Sequence, residues 1–450
     1  MDKLISLPTA VKEVIEQLSS NGFQAYIVGG AVRDALLDRP VHDWDICTSA
    51  TPDEMLHIFI DKRIIETGLQ HGTITVVVDN MNIEVTTFRI DGEYSDNRKP
   101  DNVKFTNSLY EDLSRRDFTI NAMAYNEESG LIDPFGGQED LKNKKIRCVG
   151  IPKYRFEEDA LRILRAIRFA CQLGFKIDIE TSIEIRRQYK RLNNISKERI
   201  NSEFCKMIIH KEFCNKLIDY KKIFALFIPE LNDMFHFPQN NPYHQFDVFS
   251  HTVQALYETE TNDLIIKLAV FFHDFGKPHC YQDDANGIRH FKGHGKISAE
   301  LANTIMMRLK FDNDTKNKVC ELVHYHDATI EVGKKYVKRW LNKLGEEQLR
   351  RLLTIRQADI KGQKLYYDKD RVEKIDYIKT ILTEVLEQDE CFSLKDLAIN
   401  GKDLIAAGFI EGKEIGNILS QLLCKVIDGE LENEKNILFQ HIITCIKNKE

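Results

Sequence analysis

Residues 24–48, QAYIVGGAVRDALLDRPVHDWDICT, are the most informative stretch of this 450-residue chain. Gln24 to Val28 reads as a short buried strand running directly into Gly29-Gly30. Glycines placed directly after a strand let backbone N–H groups approach a phosphate without interference from a Cβ. Arg33, about one turn into the next helix, adds a guanidinium to the same anion. Beyond it, His42-Asp43-Trp44-Asp45 reads as extended, and side chains in a strand alternate with period two, so Asp43 and Asp45 share a face. Two carboxylates on one face suit Mg²⁺, which takes hard oxygen ligands and fills its shell with waters and substrate phosphates. A site of this kind stabilises both the attacking and the leaving oxygen of phosphoryl or nucleotidyl transfer. Acidic pairs also occur in ordinary solvated loops, and it is the glycine turn and Arg33 just upstream that single this one out.

Outward from this stretch, residues 9–20 carry apolar positions at helical spacing and end at Asn21-Gly22, a stop signal. Thr73 to Asp79 and Asn82 to Phe88 read as two strands, Asp91 to Pro100 as an exposed polar loop, Arg116 to Tyr125 as a helix and Asp133 to Gly137 as a turn. From Arg155 onward strands nearly vanish, which places a domain boundary near 145–155. The 63 Lys and Arg against 70 Asp and Glu give a net charge of −7, which excludes a globally basic nucleic-acid coat; a polyanion would need local basic patches. The longest apolar run, Leu264 to Phe272, is interrupted by Lys267 and too short to span a bilayer, and Met1-Asp2-Lys3 lacks the layout of a secretory signal. Ten cysteines without a CxxC pair fit reduced core thiols. The expectation is a cytoplasmic, multidomain protein.

Further motifs follow in order: RRDFTINAM at 115–123, DPFGG at 133–137, EDALRILRAIRFA at 158–170 and ERINSEF at 198–204. Together with Gly29 to Thr48, this series resembles the bacterial-type tRNA nucleotidyltransferases, the CCA-adding enzymes, and their poly(A) polymerase relatives. The resemblance implies an α+β architecture, with a DNA-polymerase-beta-like head (1–148), then an all-α neck (149–215), body (216–365) and tail (366–450). It implies template-independent addition of C, C and A to a tRNA 3′ end from CTP and ATP with Mg²⁺, no membrane and no obligate protein partner. By matching motif positions, Asp43 and Asp45 are catalytic metal ligands, Gly30, Arg33 and Arg116 position the triphosphate, Asp159 and Arg162 select the base, and Arg165 and Arg168 support them.

The residues carry the base selection on their own chemistry. If 157–170 is one helix, Asp159 and Arg162 are i, i+3 neighbours on one face. A carboxylate only accepts hydrogen bonds and a guanidinium only donates them. Cytosine and adenine each present an exocyclic amine beside an acceptor ring nitrogen, so one Asp–Arg pair meets either base. Guanine and uracil place a carbonyl against the carboxylate, and a polar mismatch of that kind discriminates strongly. Glu84 reads equally as a third carboxylate near the metals or as a polar outer face. His71-Gly72-Thr73 and the 91–100 loop resemble features of full CCA addition, with A-only addition or poly(A) synthesis as the alternatives.

A second constellation lies downstream. His251, His273-Asp274 and Asp359 follow the H…HD…D order of HD phosphohydrolases, with His294 and His324 as extra ligand candidates and Lys277 facing a phosphate. This implies a second divalent metal and phosphatase or cyclic-phosphodiesterase activity. A chain whose only chemistry is there, behind an inert RNA-binding head, is the different-class alternative. In the tail, Gly412 and Gly416 fit a tight interhelical turn, and Lys402, Lys413 and Lys425 offer local positive charge toward tRNA.

Overall fold

The computed structural model describes residues 5–66, 68–91, 103–364 and 368–447, so the expected loop beyond Asp91 lies outside the described residues. The chain divides into two compact units, Met1–Phe227 and Ile228–Glu450. The first contains the expected head and neck segments, and the second contains most of the expected body and the tail.

In the first unit, the helix Thr9–Ser20 buries Val11, Val14, Ile15 and Leu18, the stripe its periodicity demands, and Gly22 ends it with φ of 86°. The strands are β1 (Ala25–Val28), β2 (Trp44–Thr48), β3 (Arg63–Ile65), β4 (Thr73–Val78), β5 (Met81–Thr87), β6 (Arg89–Asp91), β7 (Val103–Phe105), β8 (Ala124–Asn126) and β9 (Gly130–Ile132). Seven of them form one sheet in the order β3-β4-β5-β2-β1-β8-β9, and β6 pairs with β7 apart from it. All four β1 residues are buried, as expected of a central strand, whereas β4 alternates partly buried with buried. Only β2 and β5 pair in parallel within the seven-stranded sheet. A parallel pair needs a crossover; here it includes the helix Pro52–Ile58, started by a Thr51–Glu54 capping box. The parallel register sets Asp45 directly beside Glu84.

Two expected helices are corrected. Arg116 to Tyr125 is not a helix: a helix spans Leu109–Ser114, a 3₁₀ turn Thr119–Asn121, and Ala124 and Tyr125 belong to β8. Asp117 explains the break, because its Oδ1 accepts from the Phe118 amide at 2.8 Å and from Asn121 Nδ2 at 3.1 Å, a local alternative to the helical ladder. The 157–170 segment is likewise two helices, Pro152–Glu158 and Leu161–Leu173. Asp159 lies between them with φ −137° and ψ 105°, its Oδ1 accepting from the Leu161 amide at 2.9 Å. The DPFGG segment does turn: Asp133 accepts from the Gly137 and Gln138 amides at 2.7 and 2.9 Å.

Beyond the sheet, the unit is helical around a Phe204, Phe213, Phe224 and Phe227 cluster with ring centroids 5.4–6.4 Å apart. The parallel bridge of Lys145–Ile146 to Lys176–Ile177 runs across the expected head–neck boundary.

The second unit is built from helices that include Val248–Tyr257, Leu264–Phe272, His294–Arg308 and Asn313–Tyr325, two segments within 334–363 joined at Gly345, and Lys369–Glu387. Its last helices enclose a small core of Leu404, Ile415, Leu422, Leu423 and Leu438. Gly416 does not lie in a turn as expected. It belongs to the helix Lys413–Ile427, whose apolar face begins at Ile415, and Gly412 alone precedes that helix. Among the described residues, no helix is long and apolar enough to cross a membrane.

Removing a buried phenyl leaves a cavity that costs about 3–5 kcal/mol. Phe204→Ala is therefore expected to lower the unfolding free energy of the first unit by that amount, read by urea titration of Trp44 fluorescence with Trp340, the only other tryptophan, replaced by Phe.

Candidate functional site

A cleft of about 1080 Å³ in the first unit gathers Gly30, Arg33, Asp43, Asp45, Arg116, Asp159, Arg162, Arg165 and Arg168, all the residues expected at the nucleotide site. Nine Lys and Arg side chains line it against six carboxylates, so the cleft is basic inside an acidic chain.

Gly29 sits at the turn from β1 into the helix Gly30–Leu36 with φ 69°. A Cβ there would lie 3.2 Å from Arg116 Nη1 and 4.0 Å from Asp45 Oδ2, so the missing side chain keeps the floor of the cleft open between cation and carboxylate. The carboxylates gather opposite. Asp43 and Glu84 are exposed, while Asp45 is partly buried and leads β2 with Trp44. Burial first, then Glu84 and Asp43 against the opposing pull of Arg116, lifts the Asp45 carboxyl to about 6. All three acids line the cleft, and oxygen donors are what a hard divalent cation takes. Glu84, left open by the sequence, is thus a member of the cluster, placed there by strand pairing.

The cations are held in place before any ligand arrives. Arg33, 5 % exposed, grips Asp34 with two hydrogen bonds of 2.9 and 2.7 Å and Asn121 Oδ1 with one of 2.8 Å. Arg116 Nη2 reaches the fully buried Asp112 at 3.1 Å, while its Nε is buried without a hydrogen-bond partner among the described residues. Arg165 pairs with Asp117 at 2.6 Å and Arg168 with Glu203 at 2.7 Å. Burial raises the Asp117 carboxyl, but Arg165, Asn121 and Arg162 outweigh it and hold it at about 2. The guanidiniums of Arg33, Arg165 and Arg168 all lie over the Phe169 ring, 5.1, 5.5 and 4.1 Å from its centroid. Phe169 stands inside the EDALRILRAIRFA motif, but sequence reading gave it no role.

Asp159 and Arg162 both line the cleft, but not as a pair on one helical face. Asp159 is bound by Arg199 at 2.7 Å, and Arg162 engages Glu158 and the Arg115 carbonyl. Arg199 comes from the ERINSEF stretch; sequence reading located that motif without assigning the residue a partner.

Residues 25–147 match the Poly A polymerase head domain, 174–235 the "Probable RNA and SrmB-binding site of polymerase A", and 283–442 a tRNA nucleotidyltransferase domain 2. The CCA-adding enzyme of Enterococcus faecalis is 34 % identical over 446 residues, covering 97 % of this chain and 96 % of that protein. The Geobacillus CCA-adding enzyme is 53 % identical over 195 residues, 43 % of this chain and 48 % of that one. The chain belongs to the CCA-adding enzyme family. Among solved structures, the Bacillus stearothermophilus CCA-adding enzyme in complex with CTP is similar with a TM-score of 0.69 and 28 % identity, covering 98 % of this chain and all of that one. The Thermotoga maritima CCA-adding enzyme complexed with tRNA shares the fold, with a TM-score of 0.61 at 20 % identity over 97 % of this chain and 94 % of that one.

The second unit of this CCA-adding family member holds the other constellation. His251, His273, Asp274 and Asp359 converge: His251 Nε2 lies 3.2 Å from Asp274 and 3.0 Å from Asp359, and His273 Nε2 lies 3.1 Å from Asp274. Helix approach makes this possible. A Cβ on Gly362 would meet the Ala255 backbone at 2.7 Å, so glycine lets the Asp359 helix close on the His251 helix. Burial pushes His251 down, yet Asp274 and Asp359 raise it to about 9. His294 joins the cluster, with Nε2 3.4 Å from Asp274 Oδ1. His324 does not: it is exposed and packs against Tyr325. The buried His326, just past the end of the same helix, takes that place, because a two-residue offset turns a helical side chain to a different face. Lys277 contacts Asp274 at 2.7 Å, and His244, unassigned by sequence, sits edge-on to His251 with centroids 5.0 Å apart.

The Asp45 environment sets a pH signature. A carboxyl near 3.8 in the unfolded chain and near 6 when folded opposes folding above that range and is neutral below it. Asp45→Asn is therefore expected to stabilise the metal-free protein by about 1–3 kcal/mol at pH 8. The gain should shrink between pH 6 and 4 and vanish below, as followed by thermal unfolding across pH.

Proposed function

We propose that this chain extends tRNA 3′ ends with C, C and A from CTP and ATP in the cytoplasm, with Mg²⁺ as the divalent ion at Asp43, Asp45 and Glu84. The observation that carries the reading is the juxtaposition, in one cleft, of crowded carboxylates and preset guanidiniums, in a chain that matches CCA-adding enzymes along nearly its whole length. When bound, Mg²⁺ supplies electrostatic stabilisation of the triphosphate and lowers the pKa of the attacking hydroxyl. The tRNA 3′-oxygen bonds to the α-phosphorus, the bond to the bridging oxygen breaks, and pyrophosphate leaves. Arg116 and the Gly29-Gly30 turn receive the triphosphate, with Arg33 anchoring that wall. Asp159, oriented by Arg199, accepts from the exocyclic amine of cytosine or adenine, and Arg162 donates to the neighbouring ring nitrogen. Arg165 and Arg168 hold that wall through Asp117, Glu203 and Phe169.

The test is incorporation of labelled CTP and ATP into tRNAs ending before the first C, the second C and the A. Asp43→Ala with Asp45→Ala is expected to lose activity by about 10²–10³-fold or more, the scale of losing a group that acts in the transition state. Unaltered CTP incorporation would refute the site. ATP alone is expected to add a single A, and only to tRNA ending in CC; unlimited extension would identify a poly(A) polymerase. Glu84→Gln is expected to raise the Mg²⁺ concentration for half-maximal activity by about 10-fold.

We further propose that the histidine cluster binds a divalent transition metal through His251, His273, Asp274 and Asp359 and hydrolyses a phosphoester. The convergence of four buried or half-buried donors from two helices and the HD turn supports this. Purified His273→Ala, Asp274→Ala protein is expected to carry less metal than the unaltered chain, and equal content would sink it.

A further inference from the structure

We infer that Phe169 is a positioning residue whose ring face couples the wall that receives the triphosphate to the wall that reads the base. The inference rests on the reading of the cleft as a nucleotide site and goes beyond it by joining its two walls through one side chain.

Packing sets the orientation of the ring. Phe169 is buried and stands edge-to-face with the buried Phe118, the centroids 5.7 Å apart and the planes at 80°. Three guanidiniums converge on it, Arg168 at 4.1 Å from the centroid, Arg33 at 5.1 Å and Arg165 at 5.5 Å. Like charges gathered this way repel one another. Burial first, then Arg165 and Arg33, push the Arg168 guanidinium below its usual range against the pull of Glu203 and Asp117. The negative face of an aromatic ring offsets part of that repulsion, and more so where water is excluded. The side chains of Arg33 and Arg168 are only 6 % and 11 % exposed. An aliphatic side chain of similar size would fill the space but offer no such face.

Two chains of contacts leave the ring. One runs to the triphosphate wall. Arg33 belongs to the helix that starts at Gly30, and its Nη1 donates to Asn121 Oδ1 at 2.8 Å. Asn121 Nδ2 donates to Asp117 at 3.1 Å, and Asp117 pairs with Arg165 at 2.6 Å, which closes the loop back at Phe169. The other chain runs to the base wall. Arg168 pairs with Glu203 at 2.7 Å, and Glu203 lies on the helix Lys197–Ile208 four residues after Arg199, on the same face. Arg199 in turn holds Asp159 at 2.7 Å. Arg33 and Asp159, from opposite walls of the site, are thus tied to a common ring. Groups prearranged for a transition state lose effect when displaced by even a fraction of a bond length, so a change in the ring's charge distribution is felt at both walls.

The experiment replaces Phe169 in the full chain, site-specifically, by mono-, di- and trifluorophenylalanine, which keep the shape of the ring while draining its negative face. Calorimetric titration with tripolyphosphate in Mg²⁺, a probe without a base, reads the triphosphate wall. The ratio of kcat/KM for CTP over UTP incorporation into tRNA reads the base wall. Both are expected to fall stepwise with fluorine count, reaching a loss of about 10-fold each with three fluorines, the scale of one or two desolvated cation–π contacts. Phe169→Leu is expected to lose at least as much in both, with circular dichroism reporting that it is folded. The fluorinated series carries the answer if that variant does not fold. A flat response to fluorine, or a fall in one readout alone, would overturn the coupling while CTP incorporation by the unaltered chain leaves the nucleotide site intact. An unaltered chain that neither binds tripolyphosphate nor incorporates CTP would overturn both readings.

Discussion

Carboxylates that share a cleft repel one another unless cations stand beside them, and the cleft of the first unit is organised around that constraint. The parallel pairing of β2 with β5 places Asp45 beside Glu84, and the segment leading into β2 adds Asp43. Crowding and burial lift Asp45 to about 6, a destabilising arrangement that persists because the rest of the sheet determines the strand register. Acids held against their mutual repulsion in this way favour a cation beside them.

Opposite these acids, the arginines are spent on internal partners in a graded way. Arg33, Arg165 and Arg168 each hold an acid and share the face of Phe169, so they build a rigid positive wall. Among the described residues Arg116 keeps a buried Nε without a hydrogen-bond partner, and its Nη1 stands beside the Gly29 turn. Prearranged donors of this sort need no reorganisation when a triphosphate arrives, which is where electrostatic catalysis draws its advantage. The basic cleft in a chain of net charge −7 also shows why global charge says little about a polyanion partner.

The second unit applies the same economy with a different donor type. Backbone carbonyls hold four imidazoles by Nδ1, and glycine at 362 lets two helices approach closely enough for His251 and Asp359 to meet. Nitrogen donors predominate in this cluster, whereas the acids of the first unit offer only oxygen.

The sequence by itself determined the strand–glycine–helix start, the Asp43-Trp44-Asp45 element, the helical character after 155, and the ordered motifs of the family. All of these rest on local geometry: period two in a strand, φ above zero at glycine, helical spacing of apolar residues. Only the tertiary structure decided that Glu84 joins the acids, since that follows from which strand lies beside β2. It decided that Asp159 breaks a helix and turns to Arg199 instead of pairing with Arg162, because a side-chain hydrogen bond to the Leu161 amide competes with the helical ladder. It also put His326 in place of His324, for which a helix-end offset of two residues is decisive. Side chains far apart in the chain meet only through packing, and packing is a property of the whole fold that no local pattern encodes.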